Sequence, residues 1–256
     1  MREHLGKVFL LYHELRPGGS PYSYVTATEA FERHVDLYAR VRASETAALA
    51  PEITFDDGHV SNLEFAAPVL QSRGMKARFF ITVGWTGTKA GYMGWPELRA
   101  LREAGQEIGA HGWSHTLLTH CSDKDLQREL SGARLMLEDK LGTSITTMSL
   151  PGGRYNRRVL SACQEAGYTH VYSSIPRAEA AQQGALVGRL NIRGDMRLEW
   201  IASLFEPGSR VLSGLGRQYR MKEAAKALLG DRMYAKVWGL MNRREPNTDD
   251  GGDGGE

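Results

Sequence analysis

Cysteine is nearly missing from this chain: the two present, Cys121 and Cys163, are too few for the paired framework that staples small secreted domains. Reduced, incidental thiols are the expectation. Long apolar runs are missing too. VFLLY, near the N-terminus, is far too short to span a bilayer, and MREHLGKVFLLYHEL lacks the charged-then-apolar-then-small order of a signal peptide. The expected location is therefore cytoplasmic. Charge of one sign is also scarce: 32 Lys and Arg against 30 Asp and Glu leave +2, which argues against a dedicated nucleic-acid binder. What is present, 41% hydrophobic and 24% charged over 256 residues, suits one large domain with a sizeable core, with or without an appendage.

Seven short runs rich in β-branched and aromatic residues punctuate the chain: VFLLYH (8–13), ITF (53–55), ARFFITV (77–83), EIGAH (107–111), ITTMSL (145–150), THVYSS (169–174) and LVGRLNI (186–192). Helical patterns separate them. In SDKDLQRELSGARLMLEDKLG, Ser122 is placed to cap, Leu126, Leu130, Ala133, Leu137 and Leu141 make a stripe, and Gly142 ends it. WPELRALREAG has Pro96 near a helix start and Gly105 at its end. Strand–helix repetition predicts a parallel sheet covered by helices, and seven repeats suggest a barrel or near-barrel with its working residues at the C-terminal strand tips.

Two of those tips carry chemistry. ITFDDGHV ends a strand in Asp56 and Asp57, with Gly58 allowing a sharp turn; EIGAHGWSH places His111 and His115 four residues apart as a strand ends. Two imidazoles and one carboxylate form a ligand set that leaves metal positions open for water and substrate. A bound cation lowers the pKa of water to about 7. A neighbouring carboxylate that does not bind it can accept the proton as water attacks. One acid of the pair is then ligand and the other base.

ITFDDG, HGWSH and the later LPGGRYN together resemble the polysaccharide deacetylase family, the NodB-homology, carbohydrate esterase family 4-like enzymes, with similarity running from about Lys7 to about Leu215. The resemblance implies a deformed (β/α)7 barrel. It implies a divalent metal, zinc first with cobalt, nickel or manganese as alternatives, and hydrolysis of an N-acetyl, less often O-acetyl, group on a sugar or polysaccharide precursor. Carried over by position, Asp56 is the base and Asp57, His111 and His115 are the metal ligands. The family's third motif usually has an arginine ahead of P-x-G that orients the base. Here the place reads Ser149-Leu150-Pro151-Gly152-Gly153, with Arg154 and Tyr155 just beyond. Pro151 to Tyr155 are expected to wall the substrate groove, the glycine pair offering a backbone N–H to the oxyanion. Many relatives also have an Asp-Trp pair where this chain has VYSSIPRAE, and a histidine acid in the last strand, where LVGRLNIRGD has none. The general acid is unknown, and His13, His59 and His120 are candidates.

Trp85, Tyr92, Trp95 and Trp113 cluster around the expected rim, and Trp113, inside the histidine loop, is the first choice for a sugar platform. Arg193 is a candidate for an anionic sugar or phosphate, or a solvated surface residue. Residues 1–206 are read as the barrel, 207–244 as a basic helical extension and 245–256 as an acidic, disordered tail. The extension holds nine Lys and Arg against two acids. Its apolar face either packs on the barrel or docks on an anionic membrane surface, which would place the protein at the inner membrane. The expected ligand is an N-acetylated sugar, oligomer or polymer. Two other readings stand beside this one: a C–N hydrolase of non-sugar amides on the same scaffold, and a carbohydrate-binding pseudoenzyme.

Overall fold

The computed structural model describes residues 6–180 and 185–229. The tail at 245–256 and residues 230–244 of the extension lie outside the described residues. β1 (Gly6–Tyr12) is followed by β2 (Glu14–Arg16) and β3 (Val25–Ala27), which pair only with each other. The large sheet continues through β4 (Leu49–Phe55), β5 (Ala77–Ile81), β6 (Glu107–Ala110), β7 (Thr147–Ser149), β8 (His170–Tyr172), β9 (Leu186–Val187) and β10 (Arg189–Asn191). Its order is β10-β1-β4-β5-β6-β7-β8-β9, with every pairing parallel.

The seventh run thus forms two strands. β9 pairs with β8, Leu186 opposite Val171, while β10 pairs with β1, Arg189 opposite Phe9. The break falls at Gly188, where a Cβ would stand 2.5 Å from the Ile175 carbonyl oxygen. One bent segment therefore touches both ends of the sheet and brings the barrel close to closure.

Side chains alternate across this wall with the period of two that a strand imposes. Val8, Leu10, Tyr12, Ile53, Phe55, Phe79 and Ile81 belong to the main buried core against the helices. Phe55 and Phe79 stack there at 4.8 Å, and each such buried side chain contributes about 1.5–3 kcal/mol. The alternate positions Phe9, Phe80 and Tyr172 form a separate cluster with Val187 inside the barrel.

Around the sheet run α1 (Thr28–Ala43), α2 (Ala67–Ser72), α3 (Trp95–Glu103), α4 (Asp123–Gln127), α5 (Ala133–Leu141), α6 (Arg157–Glu165), α7 (Leu198–Ser203) and α8 (Val211–Leu229). α3 starts beside Pro96, as its sequence implies. Ser122 caps α4 by accepting from the Asp125 N–H, and the stripe from Leu126 to Leu141 is buried. Between α4 and α5 the chain widens into a π turn, Arg128–Gly132, and Gly142 ends α5 in the left-handed conformation. The start of α8 buries Leu212 in the main core, with Val211 and Leu215 packed against it, and leaves Arg217 and Arg220 exposed. Among the described residues, no helix is long and apolar enough to cross a membrane. Both cysteines are free, and burial pushes the Cys163 thiol up to about 12.

Candidate metal and catalytic centre

Thr54 and Asp56 occupy inward positions at the end of β4, and there the alternation breaks. Asp57 has φ +76° and Gly58 φ +86°, so the chain reverses and both carboxylates come within 4 Å of Nε2 of His111, at 3.8 Å for Asp56 and 3.3 Å for Asp57. At the tip of β6, His111 leads into a short loop that ends at His115, φ +62°. Among the described residues, Asp57 and His115 are the only non-glycines in the left-handed region. Such strain costs about 1–3 kcal/mol per residue and concentrates at functional sites.

The strain brings three ligand atoms together. Oδ1 of Asp57 lies 3.3 Å from Nε2 of His111 and 3.3 Å from Nε2 of His115. One donor atom from each residue falls within 4.8 Å of the others. That Oδ1 is buried and makes no hydrogen bond of good geometry. Nδ1 of His111 donates to the Ser149 carbonyl oxygen at 2.9 Å; a carbonyl can only accept, so Nε2 of the neutral ring presents a lone pair to the cluster. An orphaned carboxylate oxygen facing two imidazoles is the donor set a divalent cation satisfies, and two nitrogens with one oxygen suit zinc and its neighbours. Burial alone would raise the Asp57 pKa; with no cation bound, the His111 and His115 rings at its carboxylate and the charge that His111 and His13 carry when protonated hold it well below the usual range.

Asp56 is held by a residue that the sequence reading passed over. Arg189, fully buried on the inner face of β10, donates from Nη1 to Oδ1 of Asp56 at 2.7 Å and from Nη2 to Oδ2 at 2.8 Å. Nη2 also reaches Ser149 Oγ at 2.7 Å, which donates to Oδ2 of Asp56 at 2.9 Å. Nε donates to the Ser173 carbonyl oxygen at 3.1 Å, and the guanidinium sits 5.4 Å from the Phe80 ring centre. Ser149 stands where the third motif would carry its arginine, and a guanidinium from the last strand fills the space beside it. A signal existed: in LVGRLNI, Leu190 and Ile192 share one face, leaving Arg189 on the other. Burial would raise the Asp56 pKa, and the charges of Arg189 and His111 with the Arg189 hydrogen bonds bring it below the ordinary value.

Glu129 was also missed. It sits in the π turn, buried, and Oε2 accepts from the backbone N–H groups of Trp113 at 2.7 Å and Ser114 at 2.9 Å. Oε1 accepts from Ser114 Oγ at 2.6 Å. One carboxylate therefore clamps the loop between the two histidines.

The remaining expected residues scatter. Pro151, Gly152 and Gly153 form a tight turn, with both glycines at positive φ. Gly153 donates its N–H to the Leu150 carbonyl oxygen at 2.8 Å, so of the glycine pair that amide is engaged in closing the turn. Arg154 and Tyr155 line a cavity shared with His120. Trp113 packs beneath Arg128, 5.2 Å from its ring centre, whereas Trp85 lies 5.0 Å from the His115 ring. Tyr24, half exposed, meets the His13 ring edge-on at 5.0 Å. Nδ1 of His13 is buried without a partner, and burial lowers its pKa despite the pull of Asp57 and Asp56. His59 bonds Ser61 and meets the Tyr92 ring edge-on. Arg193 pairs with Asp195 at the surface, the solvated alternative.

The family model described as Polysaccharide deacetylase matches residues 45–171. YxkH of Bacillus subtilis, a protein with a provisional polysaccharide deacetylase assignment, is 27% identical over 187 residues, covering 68% of this chain and 67% of that protein. Chitin deacetylase 1 of Cryptococcus neoformans is 28% identical over 120 residues, 46% of this chain but only 24% of its own length. In structure, the chain is similar to the Streptococcus pyogenes deacetylase PplD in complex with acetate. The TM-score is 0.70 at 18% identity, over 80% of this chain and 100% of that one, a likeness of fold.

Proposed function

Since the chain belongs to the polysaccharide deacetylase family, we propose that it is a metal-dependent hydrolase removing an acetyl group, N-linked rather than O-linked, from a sugar or saccharide. The observation that carries this reading is the pair of acids at one strand tip with separate partners: Asp57 on two histidines, Asp56 on an arginine. Asp57, His111 and His115 would hold the metal. Bound there, a divalent cation lowers the pKa of water to about 7 and polarises the acetyl carbonyl. Asp56, less than 4 Å from the His111 ring nitrogen and locked by Arg189, takes the proton from the attacking water. Pinned in one rotamer, the carboxylate needs no reorganisation as charge moves. His13 is the candidate to return a proton to the departing amine. Tyr24, half exposed beside His13, offers an aromatic face, and the chitin deacetylase among the relatives supports an N-acetylated saccharide.

The test is metal content of untagged protein beside Asp57→Asn, followed by acetate release from N-acetylglucosamine oligomers. About one zinc-class ion per wild-type chain, lost in Asp57→Asn, with acetate released only by the wild type, is the expected result. Metal in neither protein after adding zinc or cobalt would break the reading.

Glu129 gives a second expected outcome. Glu129→Ala leaves the histidine loop unclamped, so metal affinity falls about 10–100-fold, read by competition with a chromophoric chelator. Metal-saturated turnover falls much less. Unchanged affinity would reduce Glu129 to a packing residue.

A further inference from the structure

The two imidazoles of the cluster are held in different ways. Nδ1 of His111 is fixed on the Ser149 carbonyl oxygen at 2.9 Å, deep in the barrel. His115 has no counterpart to that bond. Its side chain is 35% exposed, its Nε2 faces Asp57, and among the described residues its Nδ1 meets no hydrogen-bond partner. A ligating histidine ordinarily takes its orientation from whatever its second nitrogen bonds. Here the ring is held by its neighbours instead. The His111 ring stands 5.0 Å away at 60°, and the Trp85 ring 5.0 Å away at 35°, the flatter of the two contacts.

Trp85 is itself braced. Nζ of Lys89 lies 3.5 Å from the centre of its ring, and the Tyr92 ring stands 4.7 Å from it. An ammonium over an indole is drawn to the negative face of the ring. The backbone puts the indole in this place. Trp85 closes a 3-10 turn, Val83–Trp85, one residue beyond β5. Val83 and Gly84 donate their N–H groups to the Gly112 and Trp113 carbonyl oxygens at 3.1 and 2.7 Å, which docks the turn on the histidine loop itself. That approach needs glycine: a Cβ on Gly84 would stand 2.6 Å from the Trp113 oxygen. The Lys89 N–H then donates to the Trp85 carbonyl oxygen at 3.0 Å, a turn that returns the ammonium to the indole.

We propose that Trp85 is a positioning residue of the metal centre: its indole, backed by Lys89, sets the plane of the His115 imidazole where a hydrogen bond at Nδ1 would otherwise do so. The inference rests on the metal reading above. It gives Trp85 a task at the metal rather than at the sugar, since His115, Tyr92 and Lys89 already engage its ring.

The experiment compares Trp85→Leu, Trp85→Phe and Lys89→Gln with the wild type, each as the full chain. Lys89 is exposed, so Lys89→Gln is expected to fold and serves as the milder partner. Zinc affinity, by competition with a chromophoric chelator, and the visible bands of the cobalt-loaded protein are read first. Leucine fills space without a flat face, and phenylalanine keeps one. Trp85→Leu should bind zinc about 10–100-fold more weakly and shift the cobalt bands. Trp85→Phe should keep most of the wild-type affinity, and Lys89→Gln should fall between the two. A role in packing alone would lower the unfolding temperature of Trp85→Leu and leave affinity and bands of the folded protein unchanged, and that result would overturn the proposal. So would a phenylalanine variant as weak as the leucine one. A second readout needs no metal. In the metal-free wild type the His115 ring protons, assigned with His115→Gln, should be displaced by the indole ring current, and in Trp85→Leu they should return toward the free-histidine position. An undisplaced signal in the wild type would sink the positioning role and leave the metal reading intact. A displaced signal in a protein that takes up neither zinc nor cobalt would break the metal reading, and the proposal would fall with it.

Discussion

Asp56→Asn is expected to lower acetate release by about 10²–10⁴-fold while the metal content stays at the wild-type level. The two acids are adjacent in sequence but belong to different networks. Asparagine at position 56 keeps the volume of the side chain and one acceptor for Arg189, yet it cannot take a proton from water. The substitution leaves Oδ1 of Asp57 and its 3.3 Å approaches to the two ring nitrogens in place; its one contact with the cluster is the longer 3.8 Å approach of Oδ2 to Nε2 of His111. Asp57→Asn should do the reverse, emptying the metal site first. The pH profile adds a constraint. Asp56 is held below the ordinary carboxylate value despite burial, by the charges of Arg189 and His111 and the Arg189 hydrogen bonds. It is therefore ionised across the neutral and mildly acid range, and an acid limb at or above the usual carboxylate pKa belongs to another group. The measurements are kcat/KM against pH and metal content by elemental analysis. Near-wild-type turnover in Asp56→Asn would remove it as base; loss of metal would move it into the ligand set.

Much of this arrangement was legible, for reasons that differ element by element. The strands of the large sheet were readable because short apolar runs bounded by turn residues have few other uses. The stripe from Leu126 to Leu141 was readable because its helical spacing and its Ser122 cap agree. The break at Gly188 was not: LVGRLNI has the composition of one strand, and only pairing with two different neighbours, β8 and β1, reveals the bend. Spacing put one acid of the Asp56–Asp57 pair with His111 and His115, and the family resemblance chose Asp57; the convergence itself runs through two local reversals at Gly58 and Gly112. Arg189 was not legible as the partner of Asp56 because it stands 40 residues after Ser149, and only the near-closure of the barrel brings its guanidinium to that place. Glu129 lies three residues after Leu126, on the buried side of its helix, and a carboxylate there was the available clue. The direction of the Trp113 ring was not readable at all. It is set by Arg128 and Gly132, and a sequence does not show which of two packed faces a loop tryptophan offers.

The largest effect on folding is expected at Arg189. Methionine there approximates the length of the arginine stem and keeps the contact with Phe80, but leaves Asp56, 3% exposed, as a buried carboxylate without its cation. Breaking a buried pair from one side costs about 3–5 kcal/mol. The pH dependence carries the sign. In the wild type the folded-state pKa of Asp56 is depressed, so its contribution to stability is present above the ordinary carboxylate pKa and lost as pH falls through the folded value. Without Arg189, burial remains and the strongest opposing charge is gone, so the pKa rises above its unfolded value. The variant is then best tolerated in acid, where Asp56 is protonated, and loses stability as pH rises through the new value. Urea unfolding of both proteins in acid and at neutral pH should show the gap widening upward. Arg189→Lys should fall between, since an ammonium cannot make both carboxylate bonds and also reach Ser173. The decisive variant is the double one, Arg189→Met with Asp56→Asn: removing the orphaned charge should recover most of the lost stability at neutral pH and none of the acetate release. A penalty independent of pH, or a double variant no better folded than Arg189→Met, would mean that packing of the guanidinium between Phe80 and Tyr172, not its charge, secures this end of the barrel.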